Sequence, residues 1–212
     1  MTIKCLAFDL DGTLLLDESK RMDPRTVDSI QRAMAQGMHV VIASGRDKNG
    51  CKFVYEPLEL ENGNHFLALV NGQVVYDFEN KEYDLDDVLT AEDGVKIQKV
   101  CKQFGVEGIF QCGYDFYSYI SSLNRVKKKV KNAILGEPDD YGLKDGKENR
   151  NFIDLPFEEI RLTQDINKVI MVHSPRFFEK NFEGIKAALS DYDVLLIGPD
   201  WLEIMPKHVN KA

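Results

Sequence analysis

Residues 5 to 13 read Cys5-Leu6-Ala7-Phe8-Asp9-Leu10-Asp11-Gly12-Thr13. The apolar run that begins at Ile3 predicts a buried strand over about residues 3–8, with Cys5 inside it, and it leads straight into two carboxylates. Carboxylates are costly at the end of a buried strand unless something compensates them. Asp9 and Asp11 stand two residues apart, a spacing at which a strand aims both side chains the same way. Such a pair repels itself unless a cation or shared protons relieve it. The bland alternative is a surface turn, and the strand running into the pair argues against it. The chemical reading is a metal-assisted carboxylate nucleophile, with the second carboxylate moving protons.

Working outward, Asp23-Pro24 opens a helix, Asp as N-cap and Pro at the first helical position. Val27, Ile30 and Met34 recur at helical spacing, and Gly37 supplies a left-handed stop. Residues 38–43 are apolar and β-branched, a second buried strand. Strand, helix, strand makes a βαβ unit with a parallel sheet and a right-handed crossover. The second strand ends in Ser44-Gly45-Arg46. Ligands gather at the carboxyl ends of parallel strands. A hydroxyl, a glycine amide and a cation there make a phosphate cradle. Arg46 has two open roles, contacting substrate or pairing with an acidic neighbour.

Residues 65–70 form another apolar run, followed by Asn71-Gly72, which reads first as a turn needing positive φ. Residues 74–76 and 82–85 read as a hairpin. From about residue 86 the pattern changes to α+β. A helix capped at Thr90 runs to Phe104, strands follow at 106–111 and 116–120, and a basic helix spans about 124–134. Residues 137–151 read as a polar loop. A strand at 168–173, a helix at 176–189 and strands at 194–197 and 201–205 complete the pattern.

Composition sets limits. The 212 residues suffice for one large or two small domains, and net charge is −8. That acidity argues against nucleic acid as a partner, even with Lys127, Lys128, Lys129 and Lys131 on one helix, whose simplest reading is a solvated face. Cys5, Cys51, Cys101 and Cys112 are scattered, with neither zinc-ligand nor disulfide spacing, and the four histidines show no metal-ligand pattern. His173 reads as a structural histidine in preference to a substrate contact. No long uncharged apolar run suggests a membrane span or a signal peptide, so a cytoplasmic protein, monomer or weak dimer, is expected.

Asp9-Leu10-Asp11-Gly12-Thr13 resembles the first motif of the haloacid dehalogenase (HAD) superfamily, in its phosphatase branch. Ser44-Gly45-Arg46 is similar to the second motif as it occurs in the Cof-like sugar-phosphatase branch, which also carries an Asn-Gly like Asn71-Gly72. The resemblance implies an α/β fold. It has a HAD-like, flavodoxin-like parallel-sheet core at residues 1–85 plus 199–212, and an inserted C2-type α+β cap at 86–198. It implies Mg²⁺-dependent hydrolysis of a small phosphorylated metabolite, a sugar phosphate or similar. Asp9 would form an aspartyl-phosphate and Asp11 would act as acid and base, both also facing the metal. Gly12, Thr13, Ser44, Gly45, Arg46 and Asn71 would contact substrate or phosphate.

In the resembled family a strand like 201–205 leads to a lysine beside the phosphoryl group; Lys211 suits that position, with Lys207 the competing assignment. Family members continue with a Gly-Asp-x-x-x-Asp motif that completes the Mg²⁺ site. No such motif follows Lys211, so weak metal binding is expected of these 212 residues. Two other functions stay open: a truncated member that binds ligand without turnover, and a phosphosugar mutase using the same first motif.

Overall fold

The computed structural model describes residues 3–15, 21–85, 87–136, 151–156 and 164–209. It divides into two compact units, Met1–Asp87 with Val209–Ala212, and Val88–His208.

The first unit is built on a five-stranded sheet in the order β1 (Cys5–Asp9), β2 (His39–Ala43), β3 (Phe66–Leu69), β4 (Val74–Asp77), β5 (Glu82–Leu85). The first three strands run parallel, and β4 and β5 add an antiparallel hairpin. Between β1 and β2 lies α1 (Pro24–Ala35). Asp23 caps it by accepting from the Arg25 backbone N–H at 2.8 Å, and Pro24 opens it at a position that needs no amide donor. A two-turn helix, α2 (Lys52–Leu58), follows β2. It has no capping side chain and contains Pro57, which is why its sequence carries no clear helix signal. Leu10, Ile30, Val40, Ile42, Val54, Leu58 and Leu67 fill the core between this sheet and the two helices.

Two expectations about the first strand are corrected. Cys5 is exposed, and the strand is only partly buried along its length. The reason is topological: β1 stands at the edge of the sheet, with β2 as its one partner strand among the described residues.

The second unit contains a six-stranded sheet in the order β10-β11-β9-β6-β7-β8. These strands are β6 (Glu107–Cys112), β7 (Asp115–Tyr119), β8 (Asn151–Leu155), β9 (Lys168–Val172), β10 (Asp193–Gly198) and β11 (Trp201–Met205). Its helices are α3 (Ala91–Phe104), α4 (Ser122–Leu135) and α5 (Pro175–Ala188). A full capping box starts α3, with Thr90 and Asp93 each satisfying the other's backbone N–H, and Gly105 ends it at φ 69°. Ile97, Cys101, Phe178 and Ile185 from α3 and α5 pack on Phe110, Val169 and Leu202 of the sheet. β8, unread in the sequence, pairs in parallel with β7. The segment 137–150 lies outside the described residues.

The reading of 199–212 as part of the core is corrected for residues 199–208, while Val209 stays with the first unit. β11 lies between β10 and β9 and is hydrogen-bonded to both, so the second unit extends to His208. A strand is assigned by its ladder partners, and those are invisible in the strand's own sequence.

Candidate active site

Asp9 is the last residue of β1, and Ser44 follows the last residue of its parallel partner β2. Both motifs therefore emerge at the same end of the sheet, as parallel pairing requires. After Asp9 the chain turns back on itself. Gly12 N–H donates to Leu15 O at 2.8 Å and Leu15 N–H to Leu10 O at 2.9 Å. Gly12 holds φ 80° in this turn, a left-handed conformation that glycine adopts without steric cost. Leu10 is fully buried and anchors the loop, while Asp11 and Thr13 on either side of Gly12 are exposed.

Arg46 reaches across to Asp11. Its Nη2 donates to Asp11 Oδ1 at 2.9 Å and its Nε to Oδ2 at 3.2 Å, a two-toothed pair. Of the two roles open for Arg46, pairing with an acidic neighbour is the one seen here. The hydrogen bonds to Asp11 raise the guanidinium pKa further, against the effect of its partial burial. The guanidinium carbon also lies 5.6 Å from the centre of the Phe53 ring.

The loop that carries Ser44 and Arg46 is held from behind by the end of β3. Val70 N–H donates to Arg46 O and Asn71 N–H to Ser44 O, each at 3.0 Å. Both holding residues have positive φ, 49° for Val70 and 60° for Asn71. For a β-branched residue such as Val70 that is a genuine strain, which the surrounding contacts sustain. A Cβ on Gly45 would lie 2.7 Å from Asn71 Oδ1, so any side chain there would displace the Asn71 amide. The positive φ of Asn71 is the turn conformation that Asn71-Gly72 predicts.

Ser44 is buried, and its Oγ accepts from Arg46 N–H at 3.2 Å. Burial pushes the Cys51 thiol up to about 12, with Ser44 and the Arg46 charge pulling the other way, so the thiol stays protonated at neutral pH. Cys51 thus packs behind Ser44 without being a nucleophile. Cysteine spacing along the chain signals metal or disulfide patterns and carries no sign of this contact. Asp47 was missed as well: it is buried, and its Oδ1 accepts from Gly50 N–H at 2.7 Å, fixing the start of the turn that leads into α2. Lys48 lies 3.5 Å over the Tyr76 ring.

Asp9, Asp11, Gly12, Thr13, Ser44, Gly45, Arg46 and Asn71 all belong to the first unit. Lys211 lies outside the described residues, and Lys207 belongs to the second unit. Among the described residues no group of three His, Cys, Asp or Glu side chains could hold a metal. Asp9 carboxylate and the Asp11 main-chain carbonyl are oxygen donors of the kind a hard cation takes, so the donor chemistry fits Mg²⁺ while the donor count is low.

A family model described as haloacid dehalogenase-like hydrolase matches residues 6–212. A phosphatase-like protein of Streptococcus pyogenes serotype M6 is 29% identical over 221 residues, an alignment that covers 100% of this chain and 73% of that protein. Among solved structures, a haloacid dehalogenase-like hydrolase from Bacteroides thetaiotaomicron superposes with a TM-score of 0.72 at 21% identity, covering 99% of this chain and 73% of that one. A HAD subclass IIB sugar phosphatase superposes with a TM-score of 0.69 at 18% identity, covering 98% and 72%. At such identities the structural likeness is one of fold.

Proposed function

The chain belongs to the haloacid dehalogenase-like hydrolases, by family a phosphatase, and on that premise we propose that it hydrolyses the phosphomonoester of a small metabolite through Asp9. The observation that carries the reading is the Arg46–Asp11 pair, which joins the loops after β1 and β2 beside the end of β1, where Asp9 stands.

In this proposal a carboxylate oxygen of Asp9 attacks phosphorus and the bond from phosphorus to the ester oxygen breaks, leaving an aspartyl-phosphate. Asp11 gives its proton to the departing oxygen. It then takes a proton from water as that water attacks phosphorus, which frees inorganic phosphate and restores Asp9. Ser44, with the backbone amides around Gly12 and Gly45, binds phosphoryl oxygens, and Lys211 adds a positive charge. Arg46 has a part of its own. Each oxygen of Asp11 accepts one hydrogen bond from it and keeps a second lone pair, so Asp11 can carry the proton it donates while Arg46 fixes its orientation.

Asp9 and the Asp11 carbonyl would hold Mg²⁺, with water and substrate oxygens in the remaining positions. When bound, the ion offsets the charge of the phosphoryl group. The second unit, residues 88–208, is proposed to be a C2-type cap. The sugar-phosphatase activity named for one structural neighbour supports a sugar phosphate or similar small ester as substrate.

A second reading is a protein that binds phosphorylated ligand without turning it over. One experiment separates the two. Phosphate release from a panel of sugar phosphates is measured with Mg²⁺ and with EDTA, for the chain and for Asp9→Asn, alongside calorimetric titration with Mg²⁺. Metal-dependent release that vanishes in Asp9→Asn with an unchanged circular dichroism spectrum supports hydrolysis. Release that persists in Asp9→Asn removes Asp9 as nucleophile. Ligand binding with no release by either protein supports the second reading.

A further inference from the structure

α4 is turned inside out. Its polar side faces the sheet: Lys128 donates to Glu107 of β6 at 2.8 Å with both side chains buried, and the same ammonium lies 5.4 Å from the Phe152 ring of β8. Glu107 also accepts from Ser118 Oγ of β7 at 2.6 Å. Its apolar side, Leu123, Val126, Val130 and Ile134 at helical spacing, points the opposite way and is 56% to 78% exposed. A helix on a sheet normally buries this stripe, so its outward position calls for a partner. Lys127 and Lys131 border the stripe on one flank and Lys129 lies toward the other, all exposed.

A second unprotected surface lies at the far end of the same sheet. β10 is the edge strand, and Leu195, Leu196 and Ile197 on it are 43% to 59% exposed. Edge strands are usually guarded by lysine, proline or a covering helix. Residues 190–198 contain neither Lys, Arg nor Pro, and the nearest flanking charges are acidic, with Asp191 and Asp200 exposed.

We propose that these two surfaces are partners between copies of this chain, with α4 of one molecule covering the β10 edge of the next. The argument is complementarity. α4 carries five basic residues and no acidic one, whereas the whole chain carries −8, so the remaining residues carry −13. Two α4 helices facing each other would set like charges together; α4 against β10 sets Lys127, Lys129 and Lys131 near Asp191 and Asp200 around an apolar centre. α4 meets the sheet through Lys128 at β6 and β8 while β10 is the edge away from β8, so the contact is heterologous and closes into a ring or runs on as a chain of molecules. The inference is independent of the proposed hydrolysis.

The test is a mixing experiment read by light scattering or sedimentation. The wild-type chain is expected to show a mass above 24.2 kDa that rises with concentration and falls at high salt. Val130→Asp and Ile197→Asp each spoil one surface. Both side chains are more than half exposed, so both variants keep the native far-UV spectrum. Because a heterologous chain of molecules needs both surfaces on every copy, each variant alone is expected to be monomeric. Mixed, they retain one intact α4 and one intact β10 edge, and a two-chain species is expected. A wild-type chain that is monomeric at every concentration overturns the proposal, and so does a mixture that fails to associate, since a symmetric contact would not be restored by mixing.

Discussion

Arg46 engages both carboxylate oxygens of Asp11, at 2.9 and 3.2 Å, across the gap between the loops after β1 and β2. Side-chain exposure is 33% for Arg46 and 60% for Asp11, so the charge attraction is screened and the pair is a weak source of stability. Its consequence is geometric: a planar fork sets the orientation of Asp11 in a way a point charge cannot.

Arg46→Lys is therefore expected to lower kcat by about tenfold or more while changing KM by less than about threefold, because the ammonium keeps the charge and loses the two-point hold. Steady-state kinetics on the best substrate of the panel makes the comparison. A rise in KM with kcat unchanged would assign Arg46 to substrate binding instead.

Gly45→Ala forces a methyl group against Asn71 Oδ1 and is expected to destabilise the first unit by about 1 to 3 kcal/mol. Asn71→Gly in the same chain removes the obstructing amide at a position, φ 60°, that glycine accepts. The double variant should recover much of the loss, and chemical denaturation of the four proteins in the cycle measures the coupling. Strict additivity would mean that the loops separate freely.

Thr90→Ala should cost about 1 kcal/mol by breaking the capping box of α3. Its partner Asp93 gives a pH test. Burial alone would raise the Asp93 carboxyl, but hydrogen bonds from Thr90 and Tyr192 outweigh it and hold it below the ordinary value of 3.8. A carboxyl lowered on folding stabilises above its unfolded pKa and loses that contribution as pH falls through the folded one. The melting-temperature gap between wild type and Asp93→Asn should thus be full near neutrality and close as pH drops below about 3.8. A gap that is constant with pH would show that the charge of Asp93 is immaterial.

Lys168 and Glu203 pair at 2.6 Å on adjacent strands β9 and β11, both buried. Removing one partner, as in Glu203→Leu, is expected to cost about 3 to 5 kcal/mol, since a buried charge loses its counter-ion. Lys168→Met with Glu203→Leu should cost far less than the two single losses together. Urea denaturation of the single and double variants checks this, and a double variant as unstable as the sum would rule out the pair as the source.

Local chemistry was legible in the chain itself. Asp23-Pro24, the Thr90 capping box and Gly105 marked helix ends because caps act within a few residues. Residues 5–13 announced a carboxylate at a strand end, since the apolar run stops at Asp9; Asp11 lies beyond the strand, in the turn, where strand alternation no longer applies. Only the tertiary structure decided which strands neighbour which. Among the described residues it gave β1 one partner strand, leaving Cys5 exposed, and it drew residues 201–205 into the second sheet. It brought Arg46 onto Asp11 and Asn71 against Gly45, contacts between residues 35 and 26 positions apart. It also turned the apolar face of α4 outward, which helical periodicity cannot foresee: periodicity says that one face is apolar, and only packing says where that face points.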